Sequence, residues 1–135
     1  MSEPAISTDG TALVLIVDDG ADNRAMYRSH LEHAGFRVVE ASDATQGIAM
    51  ARELMPAIVV MDLSMPDVDG WEATRLLKSD PATRRIGIVA LSAFHEPDSR
   101  RRARDAGADF FLAKPCLARE LALHVSECIR RTRRA

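Results

Sequence analysis

Apolar and polar residues follow two periods along this chain. Short apolar-dominated runs, rich in β-branched residues, occur at 13–17, 36–40, 57–61, 86–91 and 109–112. Runs of that length and composition read as strands, and the near-continuous ones read as strands covered on both faces. Longer stretches with helical spacing lie between them. The first starts at Asp22 or Asn23, with Ala25, Met26, Leu31 and Ala34 spaced to face a sheet and Gly35 placed to end it. The second takes Asp43 as its N-cap, runs through Ala44, Ile48, Ala49 and Ala51 to Leu54, and is stopped by Pro56. The third opens at Gly70 and carries Trp71, Ala73, Thr74, Leu76 and Leu77 to the turn at Ser79-Asp80-Pro81. A fourth opens at Glu96-Pro97, passes Arg104 and closes at Gly107; a fifth is marked by Leu117, Leu121, Val125 and Ile129. Five strands alternating with five helices predict an α/β fold, a parallel sheet with helices on both faces, because parallel neighbours need right-handed crossovers.

The 135 residues make one domain, expected over 12–131, between a small-residue N-terminal tail over 1–11 and a basic tail over 132–135. A formal net charge of −2 argues against general affinity for nucleic acid or membranes. The charge is unevenly spread. Residues 1–96 carry 8 basic and 15 acidic side chains, whereas residues 97–135 carry 10 and 5. Cys116 and Cys128 lie too far apart for a Cys-x-x-Cys motif, and no secretory leader precedes the first strand, so reduced thiols in a cytoplasmic protein are expected. No apolar run approaches the roughly 18 residues of a membrane span.

The candidate chemistry sits where the strands stop. Val59-Val60-Met61 ends on Asp62, followed by a turn with Pro66 and Gly70; Val14 to Val17 ends on Asp18-Asp19; Ile88 to Leu91 ends on Ser92. In a doubly wound sheet the carboxyl ends of the strands form the edge where ligands bind. Three carboxylates gathered there would repel one another unless a cation neutralised them, and a divalent ion with hard oxygen ligands is the natural solution.

With Asp18-Asp19, Asp62 followed by Met65-Pro66 and Asp69-Gly70, Ser92-Ala93, Phe111 and Lys114-Pro115 in this order, the sequence resembles the receiver domains of two-component response regulators, the CheY-like family. The resemblance runs from about Leu13 to Arg131. It implies the flavodoxin-like strand order 2-1-3-4-5 and a magnesium ion, or manganese in its place. Asp19 and Asp62 would be direct ligands, the backbone carbonyl of Ser64 another, and Asp18 would act through water. It implies that Asp62 accepts a phosphoryl group from a sensor histidine kinase or a histidine phosphotransfer protein. Lys114 would hold the phosphoryl oxygens, Ser92 would bond the phosphoryl group, and Phe111 would turn inward. The surface formed by the fourth helix, fifth strand and fifth helix would then change for an output partner. A cis peptide at Pro115 would aim Lys114 at the site. Ser64 and Phe94, two positions beyond Asp62 and Ser92, tune attack of water in this family; neither offers a carboxylate or amide, which implies a long-lived phosphorylated state. The chain is expected to be a phosphoacceptor switch and not an enzyme with a diffusible substrate.

Other readings remain for single residues. Phe111 taken alone is an ordinary core aromatic. His30, His33, His95 and His124 show no metal-binding spacing, and Trp71 is a packing residue at the start of a helix. Arg100, Arg101, Arg102 and Arg104, like Arg130, Arg131, Arg133 and Arg134, form a solvated basic face or a docking surface for an acidic partner. No recognition helix or aromatic platform accompanies that charge, so direct nucleic-acid binding is not expected. A monomer or a phosphorylation-driven homodimer fits the basic fourth helix. The alternative is a phosphorylation-independent adaptor on the same fold, which has no physical need for Asp19, Asp62 and Lys114 together. A haloacid-dehalogenase-like phosphatase would want an acid where Ser64 stands.

Overall fold

The computed structural model describes residues 11–63, 70–92, 97–114 and 117–134. Ser64, Phe94, His95, Pro115, Cys116 and, except for Thr11, the N-terminal tail lie outside the described residues.

Strands and helices alternate as β1 (Leu13–Val17), α1 (Ala21–His33), β2 (Arg37–Ala41), α2 (Ala44–Leu54), β3 (Ile58–Asp62), α3 (Gly70–Ser79), β4 (Gly87–Ser92), α4 (Pro97–Ala106), β5 (Phe110–Ala113) and α5 (Ala118–Arg134). The strands pair in parallel in the order β2-β1-β3-β4-β5, as expected from the resemblance. β1 matches its apolar run, while β2 to β5 each start one residue after theirs. The residues skipped still carry ladder-like bonds, as Ala57 N–H to Leu13 O (2.9 Å) and Gly87 N–H to Ala57 O (3.0 Å). The lag is therefore one of boundary and not of pairing. α5 runs on to Arg134, into the residues read as a basic tail.

The period of two along each strand divides the core into two layers. Val14 and Ile16 of β1, Ile58 and Val60 of β3, and Val89 and Leu91 of β4 join Tyr27 and Leu31 of α1 and Leu121, Val125, Cys128 and Ile129 of α5. Leu15, Val17, Val59, Met61, Ile88 and Ala90 point the other way, into α2, α3 and α4. Every residue of β1, β3 and β4 is buried, the pattern of strands covered on both faces.

Helix α1 departs from its expected start and face. It begins at Ala21 with Gly20 as N-cap, not at Asp22 or Asn23, because the Gly20 N–H is turned back onto Asp18 Oδ1 (2.8 Å) and Gly20 O accepts from Arg24 N–H (3.0 Å). With that start the inner stripe is Tyr27 and Leu31, four residues apart, and Ala25, Met26 and Ala34 are exposed instead of facing the sheet. The helix ends as read. Gly35 takes φ +103°, its N–H bonds Glu32 O and the Phe36 N–H bonds Leu31 O, a Schellman closure repeated by Gly107 with Arg104 and Ala103 at the end of α4. In α2, Asp43 Oδ1 accepts from Gln46 N–H (2.7 Å) while the Gln46 side chain accepts from Ser42 N–H (2.8 Å). Its terminus is Met55, in the left-handed region at φ 49°, ahead of Pro56.

Candidate metal and phosphoryl site

The carboxyl ends of all five parallel strands share one edge, and the acids stand on it. Asp62 is the last residue of β3 and Asp18 directly follows β1; both are buried, at 2% and 1% exposure, while Asp19 next to them is exposed. One carboxylate oxygen from each of Asp18, Asp19 and Asp62 lies within 4.8 Å of the others. Acids this close, two of them buried, carry a mutual repulsion that positive charge relieves.

Part of that charge comes from Lys114, which follows β5. Its Nζ lies 3.2 Å from Asp62 Oδ2 and 3.4 Å from Asp18 Oδ2. Burial pulls the Lys114 ammonium towards lower pKa, but the charges of Asp62 and Asp18, with their hydrogen bonds, outweigh it and hold the group above its ordinary value. The lysine therefore stays charged throughout the neutral range. Three acids and one lysine leave a formal −2, which matches a divalent cation. The donor set, hard carboxylate oxygens on one edge, fits magnesium or manganese.

The loop holding Lys114 is tied to the neighbouring strand, since its N–H donates to Ser92 O at 2.6 Å. Ser92 itself is fully buried at the end of β4 and pairs with Ala113; the preceding Leu91 lies opposite Asp62. Phe111, opposite Ala90, is half-buried against the α2–α3–α4 layer with the Arg100 guanidinium 5.4 Å from its ring centre. The structure thus brings Asp18, Asp19, Asp62 and Lys114 together, sets Ser92 on the adjoining strand end, and leaves Phe111 on the flank. The Ser64 carbonyl, Phe94 and the Pro115 peptide are outside the described residues.

Two contacts around the site were not legible in the sequence. Gly70, read as a turn residue, a helix start and part of the resemblance, packs against the Asp62 and Leu63 backbone. Arg24 donates from Nη1 to Asp18 O (2.8 Å) and from Nε to Glu40 Oε1 (3.0 Å), while Arg28 Nη1 takes Glu40 Oε2 (2.7 Å). The only signal for this network in the sequence is an arginine one and a half turns after the paired acids. The basic residues of α4 are also less free than a solvated face implies, because Arg102 lies 4.3 Å over the Trp71 ring. His30 and His33 are exposed, and His124 is engaged by Glu120 O and the edge of Phe110.

A family profile described as "Response regulator receiver domain" matches residues 14–126. The polar-differentiation response regulator DivK of Brucella ovis is 31% identical over 105 residues, covering 78% of this chain and 85% of DivK. Among solved structures, the chemotaxis protein CheY4 of Vibrio cholerae superposes with a TM-score of 0.82 at 25% identity, over 87% of this chain and 98% of CheY4. The signal receiver domain of a signal transduction histidine kinase from Syntrophus aciditrophicus does so with 0.84 at 27% identity, over 93% and 95%.

Proposed function

Because the chain belongs to the response regulator receiver family, we propose that it is a phosphorylation-dependent switch whose acceptor is Asp62. The donor is a phosphohistidine on a sensor histidine kinase or histidine phosphotransfer protein. An Asp62 carboxylate oxygen forms the bond to phosphorus as the phosphorus–nitrogen bond breaks, and the imidazole leaves with the electron pair and takes up a proton. One observation carries this reading: three carboxylate oxygens within 4.8 Å at the sheet edge, with the Lys114 ammonium 3.2 Å from the Asp62 carboxylate.

Asp19, Asp62 and the Ser64 carbonyl would hold the divalent cation, with Asp18 acting through water. Bound there, the cation supplies charge that offsets the acids and the transferring phosphoryl oxygens. Lys114 does the same from the side of β5, and neither charge is consumed, so both also hold the acyl phosphate. The Ser92 hydroxyl donates to a phosphoryl oxygen once one exists, and Phe111 turns inward, leaving the Arg100 guanidinium. The α4–β5–α5 surface then presents its altered basic face to an output protein. Reversing a two-state population from 1:99 to 99:1 takes about 5.5 kcal/mol of differential interaction. A doubly charged group held by a cation, a lysine and a hydroxyl is of that order. Ser64 and Phe94 leave attacking water unpositioned, which favours a long-lived phosphorylated state. The chain acts in the cytoplasm, as a monomer or as a homodimer formed on phosphorylation; among the described residues no helix is long and apolar enough to cross a membrane.

The test is incubation with magnesium and acetyl phosphate, followed by mass spectrometry of the modified residue. The expected adduct is on Asp62, is lost in Asp62→Asn, and requires the metal. An adduct elsewhere, or one that forms equally in Asp62→Asn, sinks the reading in favour of the constitutive adaptor.

A further inference from the structure

The acid cluster is braced from behind by a pair that the phosphoryl chemistry does not use. Asp18 has every polar group engaged. Its N–H donates to Ala41 O (3.1 Å), its carbonyl accepts from Arg24 Nη1 (2.8 Å), Oδ1 accepts from Gly20 N–H (2.8 Å), and Oδ2 faces Lys114 Nζ (3.4 Å). The carbonyl held by Arg24 belongs to the peptide that carries Asp19. Fixing that plane fixes where the Asp19 carboxylate starts from, since a peptide moves as a rigid unit.

Arg24 is held in turn. Glu40, on the edge strand β2, takes its Nε at 3.0 Å, and Arg28 occupies the other Glu40 oxygen at 2.7 Å. The Arg24 and Glu40 side chains are 17% and 25% exposed, so the pair is sheltered. The hydrogen bond from Arg28 keeps the Glu40 carboxyl below its ordinary range despite burial, with Arg24 adding to it. The arrangement separates geometry from charge. Balanced by Glu40, Arg24 reaches the Asp18 carbonyl as a donor. Without Glu40 it would be an unmatched cation beside three acids, free to swing onto them and compete with a metal.

Resting on the proposed cation-dependent chemistry, we infer that Arg24, aimed by Glu40, is a positioning residue that orients the Asp18–Asp19 peptide and thereby sets the divalent-cation affinity of the cluster. Outer partners of metal ligands typically govern affinity by roughly 10–100-fold. Arg24→Ala should therefore weaken manganese binding about 10-fold or more in the purified full chain, read from the electron paramagnetic resonance of free Mn²⁺. Glu40→Gln should weaken it too. Arg52→Ala, which removes a surface arginine paired with Asp80 at 3.5 Å, should leave it unchanged. In an Asp19→Asn background the further loss from Arg24→Ala should vanish, because the carboxylate being aimed is gone; thermal melts without metal confirm that each variant is folded at the assay temperature.

Wild-type affinity in both Arg24→Ala and Glu40→Gln, or equal losses from Arg24→Ala with and without Asp19, would overturn the inference and assign the pair to stability alone. Should Arg24→Ala not fold, Glu40→Gln decides by itself, unchanged affinity refuting the role. Wild-type protein that takes up no manganese at millimolar concentration would instead refute the cation-dependent reading on which the inference stands.

Discussion

Gly70 carries more of the site than a residue without a side chain suggests. A Cβ there would collide with the Asp62 carbonyl oxygen and come within 2.7 Å of Leu63 Cα, both backbone atoms that cannot turn aside. The absence of a side chain lets α3 begin directly against the end of β3. Gly70→Ala is expected to cost about 1–3 kcal/mol, as overpacking does, and to slow acetyl-phosphate labelling of Asp62, because the displaced backbone is that of the acceptor. A urea midpoint and a labelling rate equal to wild type would contradict this. The glycine was legible as a chain breaker but its reason was not, because the reason is a contact and a contact has no local signature. The same limit separates the acids from their brace. Asp18, Asp19 and Asp62 could be read because they end recognisable apolar runs, and Lys114 because the resemblance marks it, whereas Arg24 and Glu40 lie 16 residues apart in unrelated elements and meet only in the folded chain.

Among the elements, α4 stands apart by how few of its described side chains are buried. Of its described side chains only Ala103 is buried, whereas α5 sinks Leu121, Val125, Cys128 and Ile129 into the core. In place of apolar burial α4 has two guanidinium stacks, Arg102 on Trp71 of α3 and Arg100 on Phe111 of β5. Each is worth about 0.5–1 kcal/mol at an exposed site. Local opening should therefore be cheapest here. Hydrogen exchange is expected to run faster in α4 than in α5, and the double variant Arg100→Ala, Arg102→Ala should speed it by roughly 5- to 30-fold, the factor that one or two kcal/mol provides. Equal protection of the two helices in the wild type would refute the account. The run of arginines was readable as charge on a helix face; its second use was not, since the rings it covers belong to other elements. The helices themselves were found from capping and periodicity. α1 differed in its start, which depends on a hydrogen bond from Gly20 to the Asp18 side chain, and in its inner stripe, which is Tyr27 and Leu31.

At the scale of the molecule, the alternation of strand and helix was enough to specify a parallel sheet, and the resemblance supplied the order that spacing alone leaves open. What holds the result together is the layer of α1 and α5 on one face and that of α2, α3 and α4 on the other. Cys128 lies within the first. Burial, reinforced by Asp109, pushes its thiol from an ordinary value of 9.0 up to about 12, against smaller opposing pulls from Lys78 and Arg131. The unfolded thiol gives up its proton near 9.0, while the folded one keeps it to about 12. Stability is therefore full below that window and falls as pH rises through it, by up to about 1.4 kcal/mol per pH unit. Urea midpoints from neutral to alkaline pH should decline less steeply in Cys128→Ala than in the wild type; parallel curves would refute the assignment. The division of the strands has a last consequence. Among the described residues, neighbouring side chains on β1, β3 and β4 alternate between the two apolar clusters, with the backbone of the sheet between them. An engineer can redraw the interior beneath α1 and α5 without substituting any residue of the one beneath α2, α3 and α4, as though replacing the lining of a coat without cutting its cloth.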